Sequence, residues 1–463
     1  MKYYPKKALL VLFCVICFAG VFAQTPVGYT PFVIDSLKLV NVKKAVHDAY
    51  LKDSASTSGE NKKYIINLYR ERYQYLEDMF KEKELMANAE TDDYLSSLVN
   101  EIFKNNPELK KLGTRFLFSK VYWPNAFSTG EGTIVFNIGL FSKLDNESQV
   151  VFVLCHELAH LYLDHGNKAI LQYVNTVYSD DFQQELKDIK KSRYEKNKQL
   201  DNLVKGMTFK SRRHGREHES EADSVGLLFM QRTSFNVNGS LTCLARLDSI
   251  DKEAYVPDAD LQRYFNFPEY SFQKKWIQKE KTFFGGVADL KLTGKEKDSL
   301  KTHPDCKARV TRLTPSVEKL KPASGNDFVV SEARFKDMKQ RFRYEIIEFC
   351  FNSKRVSRSL FYAMELLNEE PGNAYLVGMI GKCFASFYEN QKAHTLNQVV
   401  DLPSPYLDSN YNNLLEFLQK IHLNDMAAIG YFFLQSYQGK LSDNADFTRV
   451  YNRCKDIFEK NKL

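Results

Sequence analysis

A chain of 463 residues, 43% hydrophobic and 27% charged, has room for two or three domains and the composition of an ordinary globular protein. Its formal charge of +7 is too mild to argue for nucleic acid, and no Lys/Arg cluster is interleaved with aromatics. Of the eight cysteines, the six beyond residue 23 are scattered without a Cys-x-x-Cys pair, which excludes a Cys-rich zinc finger and does not point to a disulfide framework.

The N-terminus reads as an export signal. Lys2, Lys6 and Lys7 make a basic n-region, and Ala8 to Ala19 an apolar stretch too short to span a membrane comfortably. Val21-Phe22-Ala23 places small residues for cleavage before Gln24. Loss of residues 1–23 lowers the formal charge from +7 to +4 and leaves six scattered cysteines. No later stretch is long and apolar enough to cross a membrane. The expectation is an exported, periplasmic or secreted protein with no transmembrane helix in the mature chain.

Residues 24–89 read as a helical segment, with a charged helix over Lys62 to Met86 after a Ser/Gly-rich break. Asp92 to Phe103 is a second helix, its apolar residues at helical spacing, and Asn105-Asn106-Pro107 ends it. Arg115 to Tyr122 and Thr133 to Asn137 read as strands, separated by the turn signals Pro124-Asn125-Ala126 and Gly130-Glu131-Gly132. An apolar helix over Val150 to Leu163 follows, with Asp145-Asn146-Glu147 as its cap. Residues 166–213 are a polar helical insertion. A further apolar helix covers Ser220 to Gln231, and residues 250–300 are weakly patterned. A boundary falls near Gly325, and residues 326–463 are helical with only weak strand signals. The fold class is α+β, mainly α, with a small sheet in a domain over 90–325.

The chemistry sits on the apolar helix. His156-Glu157-Leu158-Ala159-His160 puts two imidazoles one turn apart on one face, where they could bind one Zn²⁺ per chain. Glu157 lies beside them as a candidate general base. Catalytic zinc takes three protein ligands and keeps a position for water. The segment Arg216 to Gly226 offers the third. Glu219, Asp223 and Gly226 share a helical face, whereas Glu221 points about 200° away from Glu219. On that face Glu219 would bind the metal and Asp223 would accept a hydrogen bond from a ligand histidine. Gly226 would let the two helices approach closely. His165 falls on the opposite face of a continued helix and reads as structural. Leu163 and Gly166 stand where a metzincin would need Gly and His, so that class is excluded. Cys155, about 100° around from His156, reads as core packing.

These residues resemble the gluzincin peptidases typified by HtpX and the CAAX prenyl endopeptidase, and more closely their soluble periplasmic relatives. The likeness rests on His156 to His160 and on Glu219-Ser220-Glu221-Ala222-Asp223. It extends to Pro124-Asn125-Ala126-Phe127, which resembles the substrate-side edge strand. Thr133 to Leu140 resembles the strand and turn before the active-site helix, and Thr302-His303-Pro304 to Val310 resembles the later His-Pro segment. It implies a zinc-type metallopeptidase fold over about residues 90–315, with His156, His160 and Glu219 as ligands and Glu157 as catalytic base. It also implies that His303 gates the zinc or assists catalysis. The flanking transmembrane helices of the membrane-embedded members are missing, which disfavours prenylated substrates.

Ala363 to Leu367 and Glu370 to Tyr375, extended by Gly381 and Tyr388, resemble part of a tetratricopeptide repeat. One match does not make a solenoid, and an ordinary helical bundle remains open. Either could hold substrates or envelope partners. The expected function is a zinc endopeptidase of the cell envelope acting on misfolded or unassembled proteins. The alternative is a helical-repeat chaperone or scaffold with a gated or little-used zinc site. The intact Glu157 favours the peptidase.

Overall fold

The computed structural model describes residues 29–191, 215–249, 261–278, 306–320, 325–404 and 407–461. The expected signal segment over 1–23, His303 and the later part of the polar insertion lie outside these residues.

Helices α1 (Ser36–Ser56) and α2 (Lys62–Lys81) form the N-terminal hairpin. Asp35 caps α1 by accepting from Lys38 N at 2.9 Å. Sequence pattern extends α2 to Met86, but the helix ends five residues earlier. Lys83 takes a left-handed φ of 56° and reverses the chain. Leu85–Met86 then form strand β1 opposite Ser119 and Phe118. Sheet pairing overrides the local helical pattern here.

Helix α3 (Ala89–Asn105) is capped by Asn88, which accepts from Glu90 N and Thr91 N. Strand β2 (Arg115–Ser119) stops short of Tyr122. The chain there is drawn against Gly139, whose N–H donates to Val121 O at 3.2 Å. A Cβ at Gly139 would lie 1.9 Å from Tyr122 O, so only glycine fits. Strands β3 (Ala126–Ser128) and β4 (Thr133–Asn137) complete a sheet of order β1-β2-β4-β3. β2 and β4 run parallel, with Leu117 opposite Val135; the outer pairs are antiparallel.

All five residues of β4 are buried because both faces of the sheet are covered. Leu85, Leu117 and Val135 pack under α1 and α2 with Val46, Leu76 and Met79. Phe118, Ile134 and Phe136 face the main core. That core is built around α5 (Glu147–Tyr162), which follows the short α4 (Ile138–Phe141). Beyond it come α6 (His165–Val177), α7 (Asp180–Lys191), α8 (215–231), α9 (Gly239–Leu247), α10 (Leu261–Phe265) and α11 (Cys306–Leu320).

The rest is helical, as expected: α12 (Glu332–Asn352), α13 (Val356–Glu369), α14 (Ala374–Lys392), α15 (Ser409–Lys420), α16 (Leu423–Leu441) and α17 (Ala445–Lys460). Helix α12 serves two cores. Phe335, Met338, Phe342 and Ile346 join the core around α5, while Tyr344 and Ile347 join that of the C-terminal helices. Leu261, Phe265, Phe267 and Trp276 also pack into the C-terminal core. Among the described residues no helix is long and apolar enough to cross a membrane.

Candidate metal centre

Helix α5 is central because its residues are apolar nearly all round; every position from Glu147 to Ala159 is buried. Asn146 caps it, accepting from Gln149 N at 3.0 Å. Helix α8 lies against it at Gly226, where a Cβ would meet His156 N at 3.0 Å and His156 Cα at 3.1 Å. The missing side chain is what lets the backbones approach, as the sequence spacing suggests.

This contact brings Glu219 to the two histidines. His156 Nε2 and His160 Nε2 stand 3.1 Å apart. Glu219 Oε2 lies 3.5 Å from His156 Nε2, and its Oε1 lies 3.5 Å from His160 Nε2. Each residue offers one donor atom, all within 4.8 Å of one another. A tetrahedral Zn²⁺ with bonds of about 2.0–2.1 Å holds its ligands about 3.3 Å apart. The observed separations fit that geometry, and two imidazoles with one carboxylate are a set that zinc accepts.

Asp223, one turn after Glu219, places Oδ1 3.1 Å from His156 Nδ1. Arg309 of α11, itself buried, grips the same carboxylate: its Nε donates to Oδ2 at 2.7 Å and its Nη2 to Oδ1 at 2.6 Å. Arg309 Nη1 lies 2.9 Å from Glu219 Oε2. Burial alone would raise the Asp223 carboxyl, but the hydrogen bonds from Arg309 and His156 hold it below the usual carboxylate range. Burial would likewise lower His156. Asp223 and Glu219 outweigh it, and the protein groups by themselves push the imidazole up to about 10.

Glu157 is buried beside His156 and Arg309, against an apolar recess lined by Leu140, Phe152, Val153 and Leu247. Cys155 faces the core, and burial pushes its thiol well above the usual range. All six cysteines in the described residues are free and buried.

Two residues at the site escape sequence reasoning. Arg309 comes from a helix that follows Glu219 by 90 positions; it stands in the segment that resembles the family's His-Pro stretch, but sequence reasoning gave it no role at the site. His165 does not lie on the far side of a continued helix. Helix α5 ends at Tyr162, Asp164 turns left-handed at φ 56°, and α6 begins at His165 itself. The ring therefore returns to 2.9 Å from His160. His303, which sequence resemblance brings to the site, is outside the described residues.

Paired helices carrying two histidines, a carboxylate between them and an adjacent buried glutamate define a metallopeptidase domain of the His-Glu-x-x-His kind. Residues 89–317 match Peptidase family M48, so the chain carries a zinc metallopeptidase domain of that family. No curated protein is significantly similar to the chain.

Proposed function

We propose that the protein is a zinc-dependent endopeptidase in which one Zn²⁺ per chain is held by His156, His160 and Glu219. Glu157 is its general base, and Asp223 orients His156. The observation that carries this reading is the convergence of three donor atoms at tetrahedral spacing beside a buried glutamate.

Bound zinc supplies a Lewis acid that lowers the pKa of a bound water to about 7. The protein groups do the rest. Glu157 takes the proton from the attacking water and hands it to the leaving amine. Asp223 fixes His156 with its Nε2 toward the metal position. Strand β3 supports an extended substrate. Asn125 O accepts from Asn137 N and Thr129 N donates to Thr133 O, so the backbone groups of Ala126 and Ser128 face away from β4. A peptide added to that edge pairs with them. The recess of Leu140, Phe152, Val153 and Leu247 then suits an apolar side chain next to the scissile bond.

The setting is part of the proposal. The basic and apolar N-terminus supports export and cleavage after Ala23, hence periplasmic or secreted localisation with misfolded or unassembled envelope proteins as substrates. The C-terminal helices, of tetratricopeptide-like character, are the proposed docking region for substrates or partners. His303, just before α11, gates the metal or assists catalysis.

The test is casein cleavage by the mature chain with and without a chelator, beside Glu157→Gln. Loss of the base is expected to slow turnover by about 10²–10⁴-fold with zinc still bound. Equal zinc and equal turnover in the variant would sink the reading and favour a scaffold with an unused site.

A further inference from the structure

We propose that His165 is a positioning residue for His160, setting through a His160–His165–Glu221 line which ring nitrogen of His160 faces the metal. The inference rests on the metal site proposed above.

The geometry permits one consistent assignment. His160 Nε2 faces His156 and Glu219, and its Nδ1 lies 2.9 Å from His165 Nδ1. An imidazole that offers Nε2 to a metal carries its hydrogen on Nδ1. That hydrogen needs an acceptor, so His165 Nδ1 must be bare. The hydrogen of His165 then sits on Nε2, where Glu221 Oε2 accepts it at 3.0 Å. The reverse assignment would place a hydrogen on His160 Nε2, pointing at the metal. His156 has a carboxylate behind it for this purpose; His160 has a second imidazole backed by a carboxylate.

The fold holds His165 for this role. Its ring is buried and stacked on His218, with centroids 4.1 Å apart and planes 10° from parallel. A continued helix would place residue 165 about 140° around from His160. Asp164 prevents that by taking a left-handed conformation, which a short polar side chain such as Asp tolerates. Its carboxylate accepts from Asn167 Nδ2 at 2.8 Å, which supports the turn. Glu221 is not a member of the three-donor cluster, and its side chain is 62% exposed, so its part is to orient His165 from outside.

The experiment measures Zn²⁺ affinity of the full mature chain by competition with a chromophoric chelator, and the absorption spectrum of the Co²⁺-loaded protein. His165→Leu removes the acceptor. It is expected to bind one ion about 10–100-fold more weakly, with a shifted cobalt spectrum. His165→Gln, whose amide accepts from His160 and donates to Glu221, recovers most of the loss. Glu221→Gln gives a smaller loss than His165→Leu at an unchanged melting temperature. Wild-type affinity and cobalt spectrum in His165→Leu overturn the proposal. If that variant does not fold, wild-type affinity and cobalt spectrum in Glu221→Leu, which leaves no side-chain oxygen to accept from His165 Nε2, overturn it. Failure of the metal site itself looks different: His160→Ala would then bind zinc as well as the wild type.

Discussion

Glu147, at the start of α5, is fully buried and accepts four hydrogen bonds. Val329 N and Val330 N donate to Oε2, and Ser331 N and Tyr94 OH donate to Oε1, each at 2.8 Å. One carboxylate thus ties the catalytic helix to α3 and to the strand of chain that leads into α12. Replacing it with Gln keeps one oxygen and its two bonds. The amide nitrogen sits at least cost toward Tyr94, whose hydroxyl can rotate to accept. Ser331 N is then left facing a donor, a buried loss of about 1–3 kcal/mol. Removing a negative charge from the first turn of a helix adds about 0.3–1 kcal/mol. The expected destabilisation is therefore about 1–4 kcal/mol, a large share of the about 5–15 kcal/mol by which domains are stable. Glu147→Leu orphans every donor and is expected to lose more. Urea unfolding followed by circular dichroism measures both. A Glu147→Gln protein within about 0.5 kcal/mol of wild type would refute the reasoning, because ordinary surface changes fall in that range.

Three further outcomes follow from the same geometry. Gly226→Ala puts a Cβ against the backbone of α5 at His156; we expect a loss of about 1–3 kcal/mol in urea unfolding and weaker zinc binding by chelator competition. Arg309→Met strips the buried Asp223 of its cation and should lower stability by about 3–5 kcal/mol, read as a fall in melting temperature. Paired hydrogen bonds from Arg343 hold the Glu369 carboxyl below its usual range. A depressed folded pKa gives stability that is present above the unfolded value of about 4.3 and is lost as pH falls through the folded one. Because Glu369 is 56% exposed, the pair is worth under about 1 kcal/mol. The gap in urea midpoint between wild type and Arg343→Met should accordingly be small at pH 7 and close as the solution is acidified below pH 4.

What the sequence by itself determines here is what helical periodicity can carry. His156 and His160 one turn apart, and Glu219, Asp223 and Gly226 on one face, are local facts of spacing, and so is the cap at Asn146. The strands show locally too, the first as an alternating run that the sequence carries on to Tyr122 although the strand ends at Ser119, the second as Thr133–Asn137. What the tertiary structure alone decides are the long-range and the exceptional. Arg309 reaches the site only because α11 packs across α9, and no periodicity links it to Glu219. His165 turns back to His160 because one residue, Asp164, leaves the right-handed region, and a helical wheel cannot foresee that break. Leu85 and Met86 continue a helical pattern yet pair as a strand, because Phe118 and Ser119 offer backbone partners that the local sequence does not record. Glu147 looks like a helix-start carboxylate; only the packed molecule shows the four donors that converge on it.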